Sequence, residues 1–167
     1  RLVVVGLAPA AHGANRTGRM FTGDRSGDWL YGALHRAGLA RLPTSTHIGD
    51  GQELTGVFIT APVRCAPPDN KPTIDERDRC SAFLHRELAL IRPPVFVVLG
   101  GFAYEVLCRH LGIRPRPKFG HGVEAPAPGG EVVVCSYHVS QQNTFTGRLT
   151  EDMLDSVFAR AREIADG

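Results

Sequence analysis

The sequence predicts a single α/β domain in which helices cover both faces of a central, mostly parallel, four-stranded sheet. Four short runs are almost continuously apolar, at residues 2–5 (LVVV), 57–60 (VFIT), 95–99 (VFVVL) and 132–136 (VVVCS). Such runs are typical of parallel strands that are buried on both faces. Helical patterns separate the runs, and this alternation predicts a three-layer α/β/α sandwich.

The spacing of apolar residues, three and four positions apart, supports the four predicted helices. The second helix begins with TIDE, a capping box from Thr73 to Glu76. The third, at about residues 102–111, ends at Gly112. Three of the helices have a predicted inward face. In the first helix it is Trp29, Leu30, Ala33, Leu34 and Ala37, and in the second it is Cys80, Phe83, Leu84, Leu88 and Ile91. In the fourth, which begins at Thr150, it is Met153, Leu154, Val157, Phe158, Ala161 and Ile164.

Composition excludes several classes of protein. The formal net charge of the 167 residues is only +2, so binding to nucleic acid by overall charge alone is excluded and any such binding needs a local patch. No apolar stretch approaches the roughly 20 residues of a membrane span, and the first residues do not show the basic-then-apolar pattern that resembles a signal peptide. We therefore expect one cytoplasmic domain over residues 1–167 with no membrane partner. Because Arg1 directly precedes a strand, we also expect the natural N-terminal segment to be missing.

The unusual residues follow the carboxyl ends of the four predicted strands. Those ends meet at one edge of a parallel sheet, where ligands bind in this class of fold. The first strand runs into GLAPAAHGANRTGRMFTGD at 6–24, and the fourth runs into YHVSQQNTFTGR at 137–148. The first loop has neither the G-x-G-x-x-G nor the G-x-x-x-x-G-K-[ST] spacing, so a dinucleotide or nucleoside triphosphate site has little support.

These two loops resemble the first and last active-site motifs of the uracil-DNA glycosylases, specifically the family 5 (B-type) enzymes of bacteria and archaea. VRCAPPDNKPT at 63–73 lies between them, and the resemblance covers essentially the whole chain. It implies a monomeric enzyme that flips a deaminated base out of DNA and hydrolyses its N-glycosidic bond. Two alternatives stay open: a DNA-binding or damage-sensing module of this fold that lacks catalysis, and a hydrolase of free nucleosides.

Cleavage of a glycosidic bond passes through a cationic sugar and an anionic departing base, so the site needs a group for each charge and a positioned water. The resemblance assigns Asp24 to the water and the sugar, and His138 to a carbonyl of the leaving base. Taken alone, Asp24 or Asp28 is more often a helix N-terminal cap, and a lone His after a strand is usually structural. His12 stays outside the predicted catalytic set.

The resemblance also implies a set of contacts to the flipped base. An aromatic ring commonly stacks on such a base, and Phe21 offers one, although in isolation it would be assigned to the core. Small residues let the backbone approach the base closely. The predicted substrate-binding residues are Gly6, Leu7, Ala8, Phe21, Ala61, Ser140 and Asn143.

Three positions depart from related glycosylases. Ala8 stands where the best-known members have a polar Asp or Asn, and Ala61 stands where the iron-sulfur members have an Asn that reads the uracil edge. Loss of an edge-reading amide relaxes selectivity, so we expect hypoxanthine to be accepted beside uracil. Val139 replaces the proline of a His-Pro-Ser motif, which leaves the backbone at His138 less rigid.

Contacts to DNA are predicted at the rim of the cleft. Gln141, Gln142 and Asn143 are polar enough to enter the duplex or to bind flanking phosphates, and Ser140 is expected to bind a phosphate. Any single surface arginine is more often merely solvated. The candidate phosphate contacts are Arg16, Arg19, Arg25 and Arg148.

The cysteines raise the question of a metal cluster. The spacing of Cys65 and Cys80 is no metal signature by itself, and composition alone favours reduced thiols. The iron-sulfur glycosylases, however, hold a 4Fe-4S cluster with two cysteines at these places and two upstream of the first strand. The resemblance therefore implies that Cys65 and Cys80 face one another as half of a structural cluster site. Cys108 and Cys135 do not replace the absent pair.

Overall fold

The computed structural model describes residues 1–7, 13–63 and 73–167, without the side chains of Asn15, Arg16 and Arg77. In chain order the elements are β1 (Leu2–Val5), α1 (Ala14–Thr17), α2 (Arg25–Arg36), β2 (Val57–Thr60), α3 (Ile74–Ile91), β3 (Val95–Leu99), α4 (Gly101–Leu111), β4 (Glu124–Pro126), β5 (Val132–Ser136), α5 (Gln141–Phe145) and α6 (Glu151–Asp166). The four predicted strands and four predicted helices alternate along these residues, and the structure adds two short helices, α1 and α5, and a short strand, β4.

The sheet has the strand order β2-β1-β3-β5-β4. The four predicted strands, β1, β2, β3 and β5, have the predicted bounds and run parallel to one another. In the register, Val5 lies beside Thr60 and Val98, and Leu99 lies beside Ser136. The carboxyl ends of all four parallel strands therefore meet at one edge of the sheet, where the site was expected.

The edges of the sheet differ from the prediction. A fifth strand, β4, pairs antiparallel with β5, so the four-stranded sheet was one strand short. The sequence did not predict this strand because it is only three residues long, buries only Ala125 and so has no apolar run. Pro126 is tolerated because the strand lies at the edge of the sheet. At the other edge, β2 is not buried on both faces, because Phe58 is 40% exposed.

Two helical layers enclose the sheet, which confirms the predicted sandwich. Helices α2 and α6 pack on one face against Val4 and Val97. Helices α3 and α4 pack on the other face against Val3 and Phe96. The two buried clusters form the core and hold the strands rigidly beneath the loops that build the site.

Local signals place the helix ends. The capping box is confirmed: the Thr73 hydroxyl accepts from the Glu76 N–H at 3.1 Å, and the Glu76 carboxylate accepts from the Thr73 N–H at 3.1 Å. Gly112 ends α4 in the left-handed region with φ of 70°. The prediction that Phe83 faces the core is wrong, because this residue is 53% exposed. The buried residues on the inner face of α3 are Leu84 and Leu88.

No helix within the described ranges has both the length and the apolar character needed to cross a membrane.

The two phenylalanines give a matched test of this core. Phe158 is fully buried between α6 and the sheet, whereas Phe83 is 53% exposed. We expect Phe158→Ala to lower the free energy of unfolding by about 3–5 kcal/mol, because it leaves a cavity. Phe83→Ala should change it by less than about 0.5 kcal/mol. Urea unfolding of both variants measures the difference, and equal losses would contradict this assignment of the core.

Candidate active site

The first loop is fitted around Phe21. A Cβ on Gly6, directly after β1, would lie 2.8 Å from two atoms of the Phe21 ring, so only glycine lets the ring lie this close to the strand end. Phe21 itself has φ of 53°, in the left-handed region, and its carbonyl is packed tightly against Gly27. The ring is 6% exposed. The backbone of Gly6 and the ring of Phe21 therefore meet, and Phe21 is part of the buried cluster on this face of the sheet, as its assignment to the core predicts.

Asp24 closes the first loop and is the N-cap of α2. Its Oδ1 accepts from the Gly27 N–H at 2.8 Å, and its Oδ2 lies where a Cβ on Gly13 would collide with it. The capping alternative is thus confirmed for Asp24, while Asp28 is an exposed residue in the first turn. Capping does not exclude a chemical role, because it occupies one carboxylate oxygen and fixes the position of the other.

His138 follows β5 and lies across from the first loop. Its ring centroid is 6.3 Å from that of Phe21, and it packs against Gly100, where a Cβ would lie 3.4 Å from its own Cβ. Burial disfavours the imidazolium and lowers the pKa of His138 to about 4, and the Asp24 carboxylate opposes that shift. Two sequence-predicted residues are therefore brought together, as a neutral imidazole near a carboxylate.

Hydrogen bonds that the sequence did not predict connect the first loop to residues 45–50. The buried hydroxyls of Thr22 and Ser45 are 2.6 Å apart. Arg19 donates to the Ser45 hydroxyl at 2.9 Å and to Asp50 Oδ1 at 3.0 Å. The pKa of Asp50 is held well below its usual range, mainly because the Gln52 N–H donates to its carboxylate. Nothing in the local sequence around residues 45–50 indicates that these groups face the loop.

The predicted DNA contacts fall into two groups. The guanidinium of Arg19 has the intramolecular partners just described. By contrast, Arg25 lies 5.2 Å from the Phe145 ring and Arg148 lies 4.7 Å from the Tyr137 ring, and both arginines are exposed. Gln141 and Gln142 are exposed on the short helix α5. The side chain of Arg16 lies outside the described residues.

The remaining predicted base contacts lie close to strand ends. Ala61 is 1% exposed directly after β2, and Leu7 is partly buried after Gly6. Ser140 is the N-cap residue of α5 without a capping side-chain hydrogen bond. Asn143 donates from Nδ2 to the His138 carbonyl at 2.9 Å, a contact the sequence did not indicate. Ala8 and His12 lie outside the described residues.

The cysteines do not assemble a metal site within the part of the chain that is described. There, no group of three or more His, Cys, Asp or Glu side chains could hold a metal ion. Cys80 is a partly buried free thiol on α3, and its predicted partner Cys65 lies outside the described residues. Cys108 and Cys135 are buried, and burial raises the pKa of Cys108 and raises that of Cys135 to about 12. Both thiols therefore stay protonated, which disfavours them as ligands.

Comparison with known proteins agrees with this geometry. A family model described as the uracil DNA glycosylase superfamily matches residues 1–162. The chain belongs to this superfamily. The resemblance identified from the two loop motifs is confirmed.

Curated relatives refine the match. A Type-5 uracil-DNA glycosylase of Mycobacterium bovis is 55% identical over 99% of this chain and 63% of its own length. A Type-5 enzyme of Thermus thermophilus is 50% identical over 99% of this chain and 76% of its own length. A Type-4 enzyme of Thermotoga maritima is 30% identical over 84% of this chain and 65% of its own length. The chain thus spans less than two thirds of the mycobacterial relative.

The electrostatics of the site make a prediction about His138. We expect its imidazole to titrate near pH 4, below its ordinary value of 6.5, and Asp24→Asn to lower the pKa further because the opposing negative charge is lost. NMR titration of the imidazole measures both values. Because the unfolded chain takes up this proton first, the free energy of unfolding should fall as pH drops from about 6.5 to about 4. A midpoint at or above 6.5 would contradict the buried placement.

Proposed function

We propose that this protein is a DNA repair glycosylase that flips uracil out of DNA and hydrolyses its N-glycosidic bond. The observation that carries the proposal is that a capped carboxylate, Asp24, and a buried imidazole, His138, both lie at the carboxyl ends of the strands, close enough for the carboxylate to raise the pKa of the imidazole against the effect of burial. Family membership and the printed names of the relatives support the same reaction.

The two groups suit the two charges that develop in this reaction. Asp24 holds the attacking water and stabilises the cationic sugar, and its fixed carboxylate needs no rearrangement as the bond breaks. His138 donates a hydrogen bond to a carbonyl of the departing base, whose negative charge grows in the transition state. With a pKa of about 4, the imidazole is neutral at physiological pH, so it acts as a hydrogen-bond donor rather than as a cation.

The base and the duplex have separate contacts in this proposal. The flipped base stacks on Phe21 beside the Gly6 backbone, and the buried Ala61 lies at the end of the neighbouring strand β2. The exposed cations Arg25 and Arg148, each placed over an aromatic ring, contact phosphates of the DNA. Leu7 and Ser140 border the base, Gln141 and Gln142 approach the duplex, and Arg16 adds a phosphate contact. Arg19 instead holds the first loop through Asp50.

Because Asp24 also caps α2, a variant that tests its catalytic role has to keep the cap while it removes the negative charge. Asp24→Asn keeps a side-chain oxygen that can accept from the Gly27 N–H but removes the charge. We expect this variant to fold normally and to lose about 10²–10³ in single-turnover excision of uracil from duplex DNA, with DNA affinity nearly unchanged. Asp28→Asn, which removes an exposed charge from the same helix turn, is the matched control and should keep its rate.

The same assay separates the proposed function from its alternatives. Uracil release from duplex DNA, with none from free deoxyuridine, is the expected result. Release from free deoxyuridine alone would indicate a nucleoside hydrolase, and binding without release would indicate a module that lacks catalysis. An unchanged rate in Asp24→Asn would move the catalytic role to another residue.

The residue Ala61 bears on which bases the enzyme releases from DNA. A buried methyl group at the end of β2 offers no hydrogen bond to the edge of the base, so the pocket selects less strongly between bases. We therefore expect hypoxanthine as well as uracil to be released. Single-turnover assays on the two lesions in the same duplex measure this, and release of uracil alone would overturn the prediction.

We further propose that Cys80 and Cys65 are two ligands of a structural 4Fe-4S cluster in the full-length protein. Cys80 fits this role because it is a free, partly buried thiol away from the core positions of Cys108 and Cys135. Thiolates hold such clusters, and a cubane ordinarily takes four.

Iron content tests the cluster proposal. Full-length protein purified without oxygen should contain about four irons per chain. Cys80→Ser should lose most of them, whereas Cys108→Ser should keep them. A colourless, iron-free wild-type protein would contradict the proposal.

A further inference from the structure

The backbone that carries His138 lacks the restraint of a proline at the next position. Val139 stands there, and its side chain is 1% exposed. Residues 137–139 have no helical or strand hydrogen-bond pattern, and α5 holds only Ser140, whose carbonyl accepts from the N–H groups of Asn143 and Thr144. Because His138 must aim its imidazole at one atom of a substrate, some other contact has to hold this peptide segment.

His121 holds the peptide on the amino-terminal side. Its Nδ1 accepts from the Tyr137 N–H at 3.2 Å, and its Nε2 lies 3.0 Å from the Met153 carbonyl of α6. A backbone N–H can only donate and a carbonyl can only accept, so the two contacts require a neutral imidazole with its proton on Nε2. His121 therefore ties the residue before His138 to helix α6.

Asn143 holds the peptide on the carboxyl-terminal side. Its Nδ2 donates to the His138 carbonyl at 2.9 Å. Asn143 is itself fixed, because its N–H donates to the Ser140 carbonyl at 3.1 Å and its carbonyl accepts from the Leu149 N–H at 3.0 Å. Asn143 thus anchors the His138–Val139 peptide, which directly follows the Cα of His138, and His121 anchors the Ser136–Tyr137 peptide, one residue further toward the amino terminus.

We propose that His121 and Asn143 are positioning residues that aim the imidazole of His138, supplying through side-chain hydrogen bonds the restraint that a proline would supply covalently. This inference rests on the proposed glycosylase function. Neither residue needs to touch the reacting atoms in this role. The physical reason is geometric, because a displacement of about 1 Å at a reacting group can cost on the order of 10²-fold in rate.

A pair of variants of similar shape isolates the contact of His121. His121→Asn keeps an oxygen close to the position of Nδ1, where it can accept from the Tyr137 N–H, whereas His121→Leu has nearly the same shape and no acceptor. We expect His121→Leu to be at least about 10-fold slower than His121→Asn in single-turnover excision, with equal affinity for DNA. Equal rates in the two variants would overturn the proposal.

Two measurements on the DNA-free protein test positioning without relying on activity. Hydrogen exchange of the Tyr137 amide should be faster in His121→Leu than in His121→Asn, and the His138 ring resonances should shift only in the former. If the wild-type protein releases no uracil, the proposed function fails, yet these measurements still decide the positioning role. Unchanged exchange and resonances in His121→Leu would overturn it.

Asn143→Leu tests the second anchor, and keeps the proposal open to refutation if His121→Leu does not fold. It preserves the shape of Asn143 and removes the donor to the His138 carbonyl. We expect a lower single-turnover rate together with displaced His138 resonances in the absence of DNA. A lower rate with unchanged His138 resonances would assign Asn143 to the substrate instead and would overturn its positioning role.

Discussion

The hydrogen bond from the Gly27 N–H to the Asp24 carboxylate fixes two things at once: the start of α2 and the end of the first loop. Gly13 lies against the other carboxylate oxygen, and Gly27 leaves room for the Phe21 carbonyl. A side chain at Gly13 would displace the carboxylate of Asp24, and one at Gly27 would displace the backbone carbonyl of Phe21. The base pocket and the catalytic carboxylate of the proposed mechanism therefore depend on one helix cap.

The second constraint is the removal of His138 from water. Burial and the nearby carboxylate act in opposite directions on this imidazole, and burial has the larger effect, since the pKa falls to about 4. The site consequently keeps one negative group and one neutral donor rather than an ion pair. This asymmetry suits a reaction in which the sugar becomes positive while the base departs as an anion.

Both loops are held by hydrogen bonds to side chains far away in sequence. In the first loop, the hydroxyl of Thr22 forms a hydrogen bond with that of Ser45, and the guanidinium of Arg19 donates to the carboxylate of Asp50. His121 serves the last loop in the same way, whereas Asn143 holds the His138 carbonyl from within that loop. Short loops with little apolar content cannot be fixed by packing alone, so buried polar contacts with satisfied partners provide the rigidity.

The sequence by itself determined the four parallel strands, the capping box at Thr73, the stop at Gly112 and the identity of the two loops, because each depends on residues that are neighbours in the chain. The tertiary structure alone decided the edge strand β4, the exposure of Phe83, the capping role of Asp24 rather than Asp28, and the neutral state of His138. It also decided the partners of Arg19 and His121. The cap of Asp24 is a local contact with Gly27, and the structure only selected it over Asp28. The other properties arise from burial and from contacts across more than ten residues, which no local pattern of the chain encodes.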